Sequence, residues 1–197
     1  MGRKLMSDSS YHAVIAVVLG VRDGRLDASL RRVDRAPAEA LDAALARAAD
    51  VDALAYVEQL DTRLLDDGTL ATSYLGIVPS GRELPPGDVM DDDLVRAARA
   101  RLRAKLSYTN VGFALAPETF TISELREVYV AALGYDVSAT NLQRVLVRRG
   151  VLERVEGRRA PGRSGGRPAA LFRFASRRLE ITDEFAALRP PGSRASG

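Results

Sequence analysis

Cysteine is absent from the 197 residues, and histidine occurs once, as His12. The first absence excludes disulfides and thiolate chemistry, and it fits a protein kept in the cytoplasm. Together the two exclude zinc sites built from His and Cys, and any Ser-His triad would have to use His12, which sits beside an apolar strand. Long apolar runs are missing too: no segment reaches the ~18 residues that a membrane helix needs. Residues 13–21, behind Arg3 and Lys4, have the look of a signal-peptide core. However, Val-Arg-Asp-Gly-Arg follows where a small-residue cleavage site should stand, so the run reads as a buried strand. No membrane partner, metal or other cofactor is expected.

What charge there is lies unevenly. The whole chain carries a formal +3, but residues 118–197 hold 14 basic and 9 acidic side chains, and residues 1–117 are slightly acidic. Between 144 and 178 there are eleven arginines against Glu153 and Glu156. A near-neutral front joined to a basic back suits a sensor attached to a nucleic-acid binder. The length suits one large domain or two small ones. The abundance of alanine and arginine fits a GC-rich bacterial genome.

The last third reads as helix, turn, helix, strand, basic loop and strand. Thr121-Ile-Ser-Glu124 is a capping box, which starts a helix with two reciprocal hydrogen bonds. Leu125, Val128, Tyr129 and Ala132 follow at one buried helical face, and Gly134 can end the helix in the left-handed conformation. Ser138 can cap the next helix, with Leu142, Val145 and Leu146 inward and Gly150 at its end. Thr140, Arg144 and Arg148 form an outward stripe, flanked by Asn141, Gln143 and Val147. Asparagine and glutamine bond adenine bidentately, and arginine does the same to guanine. Residues 151–155 and 170–174 have strand composition, and the loop between them, with Arg158, Arg159, Arg163 and Arg167, is too rich in glycine and proline for a helix. This is the order of a winged helix-turn-helix: a reading helix for the major groove and a basic wing whose affinity would come from counterion release. A helix pair with a hairpin also serves in dimerisation and peptide binding, and a basic cluster is often only a solvated face.

The front half reads as mixed α and β. A strand over 13–21 turns at Arg22-Asp-Gly24 into a second near 25–33, since Asp-Gly between apolar runs is a hairpin signal. Pro37 fits the first turn of a helix over 37–49. Strands follow at about 55–65 and 69–78, then a Pro/Gly-rich loop at 79–87. Asp88 to Asp93 place acidic residues at the start of a helix over about 91–106, as the helix dipole favours. Its Arg96, Arg99, Arg101, Arg103 and Lys105 spread around the axis, which predicts a connecting or dimer-packing helix.

These residues carry a family resemblance. Arg101-Leu-Arg-Ala-Lys-Leu-Ser-Tyr108, Phe120-Thr-Ile-Ser-Glu-Leu-Arg-Glu-Val-Tyr129, Asn141-Leu-Gln-Arg144 and Gly166-Arg-Pro-Ala-Ala-Leu-Phe-Arg-Phe174 stand in the order and spacing of the Nudix-related transcriptional regulators. Tyr56-Val-Glu-Gln-Leu-Asp-Thr62 and Thr72-Ser-Tyr-Leu-Gly-Ile-Val78 are similar to the strands after the Nudix helix. Leu142 and Gln143 depart from that family's usual phenylalanine and arginine, so its operator does not carry over. The resemblance implies an α+β chain: a degenerate Nudix-like α/β/α sensor or dimerisation domain over 10–80, a linker and connecting helix over 81–117 and a winged helix over 118–188; the composition of 189–197 reads as a disordered tail. It implies a homodimeric regulator, a repressor, on a palindromic double-stranded DNA operator.

An active Nudix hydrolase needs the box G-x5-E-x7-R-E-U-x-E-E-x-G-U, whose glutamates hold magnesium. If Glu39 and Arg47 align with its first Glu and its Arg, then Ala48, Val51 and Asp52 replace the remaining glutamates, and the glycine before Glu39 is missing. The box is broken, and the chain is not expected to be an enzyme. The alternative is a divergent hydrolase of nucleoside diphosphate derivatives, with metal held by Glu39, Asp52 and Glu58. The resemblance also implies a pocket for a nucleotide-like or sugar effector. ADP-ribose is the family's best-known one, and the shortened loop removes part of its usual site. Arg31, Arg47, Tyr56, Glu58 and Tyr74 are pocket candidates, each with an equal reading as a salt-bridge or core residue.

Overall fold

The computed structural model describes residues 12–36, 38–88, 90–160 and 168–183. The apolar run near the start is β1 (His12–Arg22). Its Ala13, Ile15, Val17, Leu19 and Val21 enter one core cluster, and Val14, Ala16 and Val18 enter another. Side chains alternate across a strand, so burial of both faces explains the nearly unbroken apolar sequence. Asp23 (φ 50°) and Gly24 (φ 72°) are both left-handed, as a two-residue hairpin turn of the I′ kind requires, and the chain returns as β2 (Arg25–Arg35). Strands β3 (Tyr56–Leu64) and β4 (Leu70–Ile77) complete a sheet of order β2-β1-β4-β3, in which β1 and β4 run parallel.

Helix α1 (Leu41–Ala48) covers one face through Ala44, Leu45 and Ala48. Helix α2 (Asp92–Tyr108) covers the other through Leu94, Ala98, Leu102 and Leu106. This is the expected α/β/α sandwich. Two expectations change. Helix α1 starts at Leu41, four residues after Pro37, which itself lies outside the described residues. The Glu39 carboxylate accepts from the Ala36 amide (3.1 Å) and from Arg47 (2.8 and 2.9 Å), which holds the preceding residues in a non-helical hook. Helix α2 does more than connect: its apolar stripe is one wall of the core, and Asp91 caps it by accepting from the Leu94 amide at 2.9 Å.

In the back part the capping box is complete. The Glu124 amide donates to Thr121 Oγ1 (3.2 Å) and the Thr121 amide to Glu124 Oε2 (2.7 Å), starting α3 (Ile122–Leu133). Gly134, at φ 78°, ends it. Ser138 caps α4 (Ala139–Arg148) by accepting from the Asn141 amide at 3.0 Å. Strands β5 (Leu152–Arg159) and β6 (Ala169–Phe174) form the hairpin. Phe120 adds a short third rung through two backbone bonds with Phe172 (2.9 and 2.8 Å). One apolar cluster runs without a break from β1 through α2 and α3 to Phe174.

Residues 176–183 dock on buried Asn110, whose Nδ2 donates to the Arg178 carbonyl (2.8 Å) and whose Oδ1 accepts from the Glu180 amide (2.8 Å). The tail expected at 189–197 lies outside the described residues.

The passage from α2 to α3 turns on Gly112. A Cβ there would stand 2.4 Å from the Tyr129 hydroxyl, which is buried without a hydrogen-bond partner and pushed by that burial well above its ordinary pKa. Gly112→Ala should therefore cost about 1–3 kcal/mol, as overpacking of a tight core does. Adding Tyr129→Phe, which removes the clashing oxygen and an unpaired polar group, should restore part of the loss. Urea denaturation of the single and double variants measures both; equal stabilities of Gly112→Ala and wild type would refute the contact.

Candidate nucleic-acid interface

Helix α4 divides sharply. Leu142 and Leu146 are buried, whereas Thr140, Asn141, Gln143, Arg144, Val147 and Arg148 are all exposed. Arg144 Nη2 donates to Asn141 Oδ1 at 2.8 Å, so two of the candidate base-reading side chains hold each other in place. Side chains three apart on a helix are neighbours, which makes this pairing local.

The helix is aimed by arginines that the sequence reading did not single out. Arg126, on α3, donates to the Val137 carbonyl (2.8 Å) and pairs with Asp136 (2.5 Å), fixing the turn before α4. Arg149, just past α4, pairs with Asp183 and donates to the Ser107 carbonyl, both at 2.9 Å. Its position was legible: 149 continues the inward stripe of 142 and 146, so it faces the protein while Arg148 faces out.

The wing arginines part company. Arg158 is exposed, after a bulge between Val155 and Arg158. Arg159 turns back: its Nε lies 3.2 Å from Glu124 Oε1, and Nη2 donates to the Thr119 carbonyl at 3.3 Å. One Glu124 oxygen thus serves the capping box and the other ties the wing to α3. Arg163 and Arg167 lie outside the described residues.

The five pocket candidates do not share one face of the sheet. Tyr56 and Glu58 pair in register with Ile77 and Leu75, on the α2 side. Tyr74 packs on the α1 side, and Arg31 lies opposite Ala16 on that same side. Arg31 approaches Asp88 at 3.9 Å, and Arg47 is spent on Glu39 and the Asp34 carbonyl. Those contacts hold Glu39 below the usual carboxylate range, first through its hydrogen bond from Arg47 and then through the Ala36 amide. Glu58 meets Lys105 at 3.0 Å and Arg101 at 3.8 Å, while Lys105 also lies 5.6 Å over the Tyr56 ring, a cation–π contact. Burial pulls Lys105 down, but Glu58 and the Tyr56 hydroxyl outweigh it and leave the ammonium above its ordinary pKa.

Glu58 thus faces a lysine on the α2 side and Glu39 an arginine next to α1, so these two proposed metal ligands are not brought together. Among the described residues no group of three His, Cys, Asp or Glu side chains is placed to hold a metal ion. His12 bonds Thr72 Oγ1 at 2.9 Å and is held below the usual histidine range, first by burial and then by Arg35.

Glu58→Gln separates a structural from a catalytic role. It leaves the Lys105 ammonium, 11 % exposed, without its counter-charge. Breaking a fully buried pair costs roughly 3–5 kcal/mol, and partial exposure reduces that here to about 1–3 kcal/mol. The pair's contribution is present below the unfolded lysine pKa and is lost as pH rises through the raised folded value. Urea melts at pH 7 and pH 11 should show the variant's deficit shrinking at the higher pH; no deficit at pH 7 would refute the role.

Among known proteins, residues 112–174 match the family described as the NrtR DNA-binding winged helix domain. The "ADPR responsive transcriptional repressor NtrR" of Acinetobacter baylyi is 36% identical over 83 residues, which is 42% of this chain and 32% of that protein. The match therefore spans about a third of the curated relative's length. The fold is similar to that of Shewanella oneidensis NrtR complexed with a 27mer DNA, at a TM-score of 0.64 and 23% identity, over 82% of this chain and 92% of that one. A MutT/nudix family protein from Enterococcus faecalis shares the fold at a TM-score of 0.61 and 14% identity, over 86% and 90% of the two chains. The fold is thus similar to that of proteins with a Nudix-like domain followed by a winged helix, and residues 112–174 match the NrtR DNA-binding winged helix domain.

Proposed function

We propose that the protein is a DNA-binding transcriptional regulator, a repressor, acting as a homodimer on a palindromic operator. The observation that carries this is the exposed face of α4, with Thr140, Asn141, Gln143, Arg144 and Arg148 outward on a helix that a matched DNA-binding family contains. Two symmetric readers suit half-sites about one helical turn apart. Arg158, with Arg163 and Arg167, would supply the wing's phosphate contacts. The Nudix-like domain would sense a nucleotide-like or sugar metabolite or serve dimerisation, and the name of the Acinetobacter relative makes ADP-ribose the first compound to test. The missing box glutamates and the engagement of Glu39 and Glu58 by Arg47 and Lys105 support a non-catalytic role.

Selection of bound fragments from genomic DNA, followed by a salt titration on the best one, tests the proposal. A palindromic site bound far more tightly than random DNA, with log affinity falling linearly against log salt, is expected. Sequence-indifferent binding, or affinity with little salt dependence, would refute the operator and favour a protein partner for the winged helix.

A further inference from the structure

Three arginines converge where the sheet domain meets the winged helix. Arg25 from β2 and Arg99 and Arg103 from α2 line a cavity of about 450 Å³, together with Ala131 of α3 and Gly134 at the end of that helix. Several other arginines on the same two elements have carboxylate partners: Arg31 with Asp88, Arg32 with Asp67, Arg96 with Asp93 and Arg101 with Glu58. Among the described residues none of the three has a carboxylate within ion-pair distance. Arg99 donates to the Leu26 carbonyl at 2.9 Å and leaves its buried Nε unpartnered, and Arg103 reaches the Ala132 carbonyl only at 3.4 Å. Backbone carbonyls neutralise no charge, and the one carboxylate lining the cavity, Asp27, lies 3.5 Å from Arg22, so three guanidinium groups face the cavity against a single carboxylate already shared. Attraction to the carbonyl end of α3 accounts for Arg103, but not for Arg25 or Arg99.

We propose that this cavity binds the phosphate group of a phosphorylated sugar or polyol. Guanidinium forks match phosphate oxygens in geometry as well as charge. The rest of the ligand has a place: a second cavity of about 760 Å³ shares Asp27 and Arg99 with the first and continues along Ser29, Asp88 and Val95. Carboxylates and a serine hydroxyl accept hydrogen bonds from sugar hydroxyls. None of the five residues picked from the sequence as pocket candidates lines either cavity. The site touches α3 directly, and α3 is tied through Arg126 to the turn before α4. A ligand there would brace the reading head against the sheet.

Calorimetric titration of the full chain with ribose 5-phosphate, beside ribose and inorganic phosphate at one ionic strength, tests this. Ribose 5-phosphate should bind at least ~10-fold more tightly than either, the size of one or two added charge-assisted contacts. That affinity should fall ~10-fold or more in Arg25→Met and in Arg103→Met, and should not change in Arg96→Met, whose arginine lies outside both cavities. Arg25 and Arg103 are exposed, so neither change should unfold the chain, and a thermal melt checks it. Absence of binding, binding no tighter than inorganic phosphate, or binding indifferent to both substitutions would overturn the proposal. The titration contains no DNA, so its outcome is independent of the proposed regulator function.

Discussion

Arg144→Ala should weaken binding to the selected operator by about 1–3 kcal/mol, roughly 5- to 150-fold, while non-specific DNA loses far less. The side chain is exposed on the middle of α4, and its guanidinium keeps donors to spare after the single bond to Asn141. A bidentate contact to guanine is lost completely on truncation, and it discriminates at one base position. Arg158→Ala should behave differently, weakening all sequences alike and lowering the salt slope by about one, as removal of a phosphate contact does. Arg159→Ala should change the slope less, because its guanidinium is committed to Glu124 and the Thr119 carbonyl. Fluorescence anisotropy across a salt series distinguishes the three variants. If Arg144→Ala leaves the ratio of specific to non-specific affinity untouched, α4 does not read bases through that residue.

Phe120→Ala should destabilise the fold by about 3–5 kcal/mol, the range for deleting a buried aromatic ring. Phe120 is fully buried, its ring centroid lies 5.5 Å from that of Phe174 in a tilted arrangement, and its backbone forms the rung that joins the wing hairpin to the start of α3. A domain of this size has roughly 5–15 kcal/mol of stability in all, so the loss is a large share. Because the apolar cluster is continuous from β1 to Phe174, the whole chain should unfold in one transition at lower urea, not the winged helix alone. A separate early transition confined to the back part, or a cost under about 1 kcal/mol, would contradict the single core.

Arg144 and Phe120 differ in how far the sequence could reveal them. The outward stripe of α4 was legible because helix period and end signals are local: Ser138, Gly134 and the Thr121–Glu124 box act within one turn of where they stand. The I′ turn at Asp23-Gly24 and the two-sided burial of β1 were legible for the same reason, since backbone sterics and the alternation of side chains work between near neighbours. The start of α1 was not legible, because Glu39 binds Arg47 and the Ala36 amide and so competes with the helical path that Pro37 suggests.

By itself, then, the sequence determined the element order, the caps and the outward face of α4. The tertiary structure decided which charges meet. It put Glu58 against Lys105, turned Arg159 from the wing to Glu124, set Arg149 on Asp183, and left Arg25, Arg99 and Arg103 together around one cavity. Those choices depend on which elements pack side by side, and long flexible side chains satisfy a partner wherever the packed core brings one within reach.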